Sequence, residues 1–273
     1  MGSQLVNSHF RLQRLPHIWC PGCGHGIIMR ALAQAIDNLK LDKDKICLVS
    51  GIGCSSRAPG YMDYNTLHTL HGRALAFATG VKLANPDLKV IVITGDGDCT
   101  AIGGNHLIHA SRRNIDITTI VFNNNIYGMT GGQYSPTTPT NEFGTTAPFG
   151  NIDQPFDICK LVDAAGATFV GRGTAYHAIQ LSKLIEQAID HTGFSLVDAI
   201  STCPTYYGRK NNKGSAFEML NALKDATIDV KVVDKVPPEK KKDKILTGIL
   251  KNTTEPEYAA EYLKIIEKLQ KGR

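Results

Sequence analysis

No stretch of this sequence approaches the roughly 18–20 consecutive apolar residues that a bilayer-spanning helix requires. Residues 1–10 lack the basic start and apolar core of a secretory signal, so no export is expected and the cytoplasm is the default compartment. Nor is there a basic stripe interleaved with stacking aromatics. Lys and Arg number 30 against 25 Asp and Glu, a net charge of +5, too mild and diffuse to suggest a nucleic-acid partner. The one concentrated run of positive charge, Lys240-Lys241-Lys242 with Lys244 behind it, reads as a solvated tail. No internal repeat is visible. What remains is a 273-residue chain, 42% hydrophobic and 20% charged, the profile of a globular domain with room for an extension. It carries 7 cysteines, which are not expected to form disulfides in a reducing compartment.

Four short runs rich in β-branched residues, 46–50, 90–94, 118–122 and 195–200, are nearly continuously apolar. That pattern suits parallel strands covered on both faces. Between them lie segments with helical spacing. In 27–39, Ile28, Leu32, Ala35, Ile36 and Leu39 share a face, and 73–83, 105–113 and 175–189 are similar. The alternation predicts an α/β fold with an open, mainly parallel sheet, helices on both faces and right-handed crossovers. Segment 123–149 is rich in Gly, Pro and Thr and has little periodicity; a loop that long is expected to be functional. From about Val230 the composition changes, through Val236-Pro237-Pro238 and the lysine run to a helix near 256–270. The expected organisation is one domain over 1–228 and a C-terminal extension over 229–273, packed on the domain or on a partner.

The run 90–94 leads into Gly95-Asp96-Gly97-Asp98, and the run 118–122 leads into Asn123-Asn124-Asn125. Both turns should fall on the carboxyl edge of the sheet, where open α/β folds bind ligands. Mg²⁺ takes octahedral oxygen ligands, usually one or two protein groups plus phosphate oxygens. Asp96 offers a carboxylate, Asn124 an amide oxygen, and the glycines let backbone N–H groups approach a diphosphate. A Gly-Asp-Gly turn alone is a weak signal. Followed by Asn-Asn, each after a hydrophobic strand, it resembles the signature of thiamine diphosphate enzymes. That resemblance implies Mg²⁺ ligation by Asp96 and Asn124 through their side chains and by Ile126 through its carbonyl.

Cys20-Pro21-Gly22-Cys23 precedes a helix and could be a redox pair, a zinc half-site or a cluster half-site. Cys54 and Cys203 each lie in a loop after a strand, whereas Cys47 and Cys159 sit in regular elements as core thiols. Cys99 lies beside the metal motif with no role beyond packing. Four loop thiolates suit either zinc or a [4Fe–4S] cluster, and spacing does not decide between them. Their company favours the cluster, because an electron acceptor beside a thiamine site has a use and redox-inert zinc has none.

Trp19-Cys20-Pro21-Gly22-Cys23-Gly24, Gly51-Ile52-Gly53-Cys54-Ser55-Ser56, His71-Gly72-Arg73, Gly95-Asp96-Gly97-Asp98 and the Asn123–Gln133 run occur in that order. Together they resemble the β subunits of 2-oxoacid:ferredoxin oxidoreductases, over about residues 10–210. The resemblance implies a [4Fe–4S] cluster on Cys20, Cys23, Cys54 and Cys203. It also implies a diphosphate and thiazolium pocket lined by Ile52, Gly53, Cys54, Ser55, His71, Gly97, Asp98, Gly128 and Met129. The glutamate that activates thiamine would come from a separate α subunit, in an α2β2 assembly inactive without it. The implied reaction is reversible oxidative decarboxylation of a 2-oxoacid with coenzyme A, electrons passing to ferredoxin. Arg57, after the Gly-Cys-Ser-Ser turn, could pair with the distal carboxylate of 2-oxoglutarate, which pyruvate lacks. His71 could bond substrate or phosphate, or be purely structural. The alternatives are pyruvate or broad 2-oxoacid specificity, a non-redox thiamine decarboxylase or carboligase with a structural zinc, and a non-catalytic electron-transfer subunit.

Overall fold

A strand covered on both faces must offer apolar side chains in both directions, and the central strands here do. The computed structural model describes residues 2–271. Its strands are β1 (Ile46–Ser50), β2 (Asn65–His68), β3 (Lys89–Gly95), β4 (Thr118–Asn123), β5 (Ile126–Tyr127), β6 (Gln133–Tyr134), β7 (Phe169–Thr174), β8 (Ser195–Ile200), β9 (Thr227–Asp229) and β10 (Ile245–Asn252). Its α-helices are α1 (Gly2–His9), α2 (His25–Leu39), α3 (Ala58–Tyr61), α4 (Ala74–Ala84), α5 (Gly104–Arg112), α6 (Ile158–Ala164), α7 (Ala178–Asp190), α8 (Ala216–Asp225), α9 (Pro238–Lys241) and α10 (Tyr258–Lys271). Every residue of β1, β4, β7 and β8 is buried.

Eight strands form one sheet in the order β2-β1-β3-β4-β8-β7-β10-β9, and β5 and β6 form a separate hairpin. The first six are mutually parallel, and β10 runs antiparallel to β7. The two-residue period of a strand divides the core in two. Ile91 and Ile93 of β3 pack with Ile28 and Leu32 of α2 and Ile185 of α7. Val90 and Val92 pack on the other face with Ala78 of α4 and Leu107 of α5. The expected α/β sheet with helices on both sides is thus what forms.

β7 is not foreseeable from its residues, because Phe-Val-Gly-Arg-Gly-Thr reads as a turn. Two distant acids make it a strand. Arg172 is buried and its Nε donates to Asp198 Oδ2 at 2.9 Å, while Nη2 pairs with Asp157. A paired guanidinium is tolerable in a core where an unpaired one is not. Gly171 allows α7 to lie close against the sheet: a Cβ there would stand 2.7 Å from Leu184 Cδ1.

The last stretch of chain joins the same sheet. β10 adds to β7 with a register irregularity between Ile249 and Lys251, and β9 adds to β10. Glu257 then caps α10, accepting from Ala259 N and Ala260 N at 2.9 and 2.7 Å, and also from Asp116 N at 3.0 Å. Lys240, Lys242 and Lys244 are exposed. No helix among the described residues is long and apolar enough to cross a membrane.

The contact at Gly171 yields a direct check. Gly171→Ala should cost about 1–3 kcal/mol in denaturant unfolding, because the added methyl overpacks a closed contact. Combining it with Leu184→Ala should cost less than the sum of the two single changes.

Candidate active site

The parallel strands β1, β3, β4 and β8 release their chains at one edge, and the loops that follow build a cleft there. Asp98 holds one side of it. This buried carboxylate accepts from Thr94 Oγ1 at 2.8 Å, Gly72 N at 2.7 Å and Ile52 N at 3.3 Å, and it pairs with His71 Nδ1. A carboxylate only accepts, so Nδ1 carries the proton in this contact. Asp98 therefore both lines the cleft and fastens the loops after β1 and β2 to β3.

Asp96 holds the other side. It is buried; its Oδ2 accepts from Ser135 Oγ at 2.5 Å and Thr137 Oγ1 at 2.6 Å. Its Oδ1 meets only the Asn124 N–H, at 3.5 Å. Burial pushes the Asp96 carboxyl pKa up, and the hydrogen bonds from Ser135 and Thr137 oppose that shift. Asn124 and Ile126 share the same cleft. Gly97 faces the Tyr127 ring so closely that a Cβ would lie 2.3 Å from it, and Tyr127 donates its hydroxyl to Gly97 O at 3.0 Å. Any larger residue at 97 would expel Tyr127 from the cleft wall.

The cleft spans about 540 Å³ when the open solvent at its mouth is included. It brings together Ile52, Gly53, Cys54, Ser55, His71, Gly97, Asp98, Gly128 and Met129, along with Asp96, Asn124 and Ile126. Arg57 is exposed and is not among the lining residues. Three contributors are not evident from sequence motifs. Phe122 and Tyr127 line the cleft, and so does His25, which follows the Cys-x-x-Cys-Gly run directly. His25 is fully buried, edge-on to Trp19 and Phe122, and burial lowers its pKa to about 3. It stays a neutral, packed ring.

A second cavity, spanning about 770 Å³ when the open solvent at its mouth is included, is lined by Cys20, Cys23, Cys54 and Cys203. All are free thiols. Burial raises the pKa of Cys23, Cys54 and Cys203, and the backbone N–H groups of His25, Met129, and Tyr206 with Tyr207 respectively oppose that rise. Trp19 Nε1 fixes the Cys54 carbonyl at 2.7 Å. Gly128 lies against two sulfurs, since a Cβ there would be 3.4 Å from Cys54 Sγ and 3.6 Å from Cys203 Sγ. Cys54, Asn124, Gly128 and Met129 line both cavities, so the two share a wall. Cys47, Cys99 and Cys159 are buried elsewhere in the core.

Residues 51–199 match the family described as thiamine pyrophosphate enzyme, C-terminal TPP binding domain. The chain is 51% identical over 259 residues to the 2-oxoglutarate synthase subunit KorB of Methanothermobacter marburgensis, covering 95% of this chain and 91% of that one. It is 50% identical to the KorB subunit of Methanocaldococcus jannaschii, covering 96% and 97%. It belongs to the β subunits of the 2-oxoacid:ferredoxin oxidoreductases. A solved 2-oxoglutarate:ferredoxin oxidoreductase from Magnetococcus marinus, with 2-oxoglutarate, coenzyme A and succinyl-CoA bound, matches with a TM-score of 0.86 and 34% identity. That match covers 97% of this chain and 90% of that one.

Thiamine diphosphate is therefore the cofactor of this family of folds, and the cleft has the groups its diphosphate and metal would need. Asp96 has one saturated oxygen and one nearly free, and Asn124 Oδ1 has only a 3.4 Å contact from Ile126 N. Those residues fit a divalent ion. The four thiols together line one cavity. Among the described residues, no three His, Cys, Asp or Glu side chains converge as a single-ion site; the four sulfurs ring a cavity instead.

Burial, then the neighbouring thiols, raise Cys23 from the usual 9.0 to about 12, and burial raises Cys54 to about 11. Without a cation, these sulfurs stay protonated. A thiol whose pKa is raised on folding stabilises the fold below about pH 9, and that contribution is lost as the pH climbs through 11 and 12. The protein stripped of metal should therefore melt at falling temperature across this range, and Cys54→Ser should make the decline shallower. Parallel curves would contradict the assignment of that slope to the buried thiols.

Proposed function

We propose that the chain is the β subunit of an enzyme that converts 2-oxoglutarate and coenzyme A to succinyl-CoA and CO₂, delivering electrons to ferredoxin through a [4Fe–4S] cluster. The observation that carries this reading is the shared wall of Cys54, Asn124, Gly128 and Met129. It supports an electron outlet on the thiol side of that wall, beside the place where a thiamine-bound substrate would react. The names of the KorB relatives and the ligands of the Magnetococcus marinus structure support the choice of 2-oxoglutarate.

The chain's own residues divide the work. Asp96, Asn124 and the Ile126 carbonyl hold Mg²⁺. Ile52, Gly53, Ser55, Gly97, Asp98, Gly128 and Met129 bound the diphosphate and thiazolium. Thiamine diphosphate, once bound, supplies the electron sink for decarboxylation. His71, anchored through Nδ1 on Asp98, offers Nε2 to the substrate or a phosphate group. Arg57, exposed beyond the Cys54 turn, supplies a cation for the distal carboxylate. Cys20, Cys23, Cys54 and Cys203 would hold the cluster, which would supply the one-electron acceptor. The reaction runs in either direction according to the ferredoxin's potential.

The cleft is half a site. Among its described lining residues there is no glutamate to activate the aminopyrimidine. An α subunit supplies it, and the working unit is α2β2 in the cytoplasm. Phe149 is 97% exposed and Ile152 is 90% exposed, in the loop that leads away from the cleft. We read them as part of the face that meets the partner. In this arrangement 1–228 forms the cofactor domain, and 229–273 is an extension that completes its sheet.

Anaerobic co-expression with the α subunit, followed by a coenzyme A-dependent viologen reduction assay, tests the proposal. The wild-type complex should be brown and should prefer 2-oxoglutarate. Cys203→Ser should bleach the colour and abolish viologen reduction while thiamine diphosphate still binds. A colourless zinc-containing wild type would overturn the redox reading. Arg57→Ala should raise KM for 2-oxoglutarate and spare any turnover of pyruvate; equal losses on both would remove Arg57 from substrate selection.

A further inference from the structure

We propose that Ser135 and Thr137 are positioning residues for the metal: they aim the Asp96 carboxylate so that one chosen oxygen faces the ion. The inference rests on the reading of Asp96 as a metal ligand. Both hydroxyls donate to the same oxygen, Oδ2, at 2.5 and 2.6 Å. Both side chains are buried. Hydroxyl-to-carboxylate bonds of that length are strong and directional, and two on one oxygen leave it poorly placed for a cation. Oδ1, met only by the Asn124 N–H at 3.5 Å, is the oxygen left over. Mg²⁺ demands near-ideal octahedral geometry and usually takes only one or two protein carboxylates. A carboxylate with one oxygen occupied can bind it through the other alone.

The turn that carries these hydroxyls is also tied to the other metal-facing groups. Thr138 Oγ1 accepts from Ser135 N at 2.8 Å and donates to Asn125 O at 2.6 Å. Thr137 Oγ1 lies 3.3 Å from Asn123 Oδ1. Asn151 Nδ2 braces the turn from outside through Thr138 O at 2.8 Å. The Ser-Pro-Thr-Thr turn therefore grips Asp96 on one side and the backbone around Asn124 and Ile126 on the other. It sets the spacing between the carboxylate and the two groups from the Asn123–Gln133 segment. Partners of this kind, outside the ligand set, typically contribute 10–100-fold to metal affinity.

The test uses the assembled αβ complex, with Mn²⁺ as the probe and free Mn²⁺ followed by its paramagnetic resonance in the presence of thiamine diphosphate. Wild type should bind and Asp96→Ala should not. Ser135→Ala and Thr137→Val should each weaken Mn²⁺ by about 10-fold or more. Thr137→Ser, which keeps the hydroxyl and loses only the methyl, should restore most of the affinity. Wild-type Mn²⁺ affinity in Ser135→Ala and Thr137→Val would overturn the proposal. So would a Thr137→Ser variant as weak as Thr137→Val, since packing would then be the cause. Binding retained in Asp96→Ala, or absent in wild type, would instead bring down the metal assignment itself. Should Thr137→Val fail to assemble, Ser135→Ala decides alone, because it removes a single oxygen atom.

Discussion

A carboxylate taken out of water must be given donors or it will not stay charged. Asp98 receives them from three segments: Thr94 in β3, Ile52 after β1, and His71 with Gly72 ahead of α4. Hydrogen bonds to a charged group are worth about 1.5–3 kcal/mol each. This one side chain therefore fixes the loops on the β1 and β2 side of the edge. Asp96, two residues earlier, does the same toward β4 through the turn at Ser135 and Thr137. Because β3 lies between β1 and β4, the two aspartates fasten opposite halves of the cleft to a single strand end. Every position assigned to cofactor binding hangs from that strand end or from its neighbours.

Much of this is written locally. The runs at 46–50 and 195–200 coincide with β1 and β8, because a strand buried on both faces is continuously apolar. The helices α2, α4 and α5 fall where the 3.6-residue pattern puts them. The cleft residues from Ile52 to Met129 are also local, lying in short motifs at strand ends. What escaped the sequence depends on distant partners. β7 is a strand because Asp198 and Asp157 neutralise Arg172 and because Leu184 needs the room at Gly171. β10 follows a lysine run, and it is a strand because β7 offers it an edge. Ser135 and Thr137 carry no signal of their own, since a hydroxyl in a polar loop acquires meaning only when folding sets a carboxylate beside it. Arg57, adjacent in sequence to the cleft turn, is not among its lining residues.

The thiols show how burial can favour one bound state. The desolvation that keeps Cys23 and Cys54 protonated in the free protein would turn into attraction once cations were present, because the same low-dielectric surroundings strengthen each sulfur–metal interaction. The backbone N–H groups of His25, Met129, Tyr206 and Tyr207 act on three of these thiols in the same direction, lowering their pKa against the rise that burial causes.

The wall formed by Cys54, Asn124, Gly128 and Met129 carries a consequence for how such a protein can change. Each of these residues answers to two neighbours. A Cβ at Gly128 would make ordinary contact with Cys54 Sγ and Cys203 Sγ, so a side chain longer than a methyl is needed to crowd that wall. A change at any of these four positions is felt in both cavities at once. Variation confined to one cavity has to come from residues that line that cavity alone, such as His71 on the cleft side or Tyr206 on the thiol side.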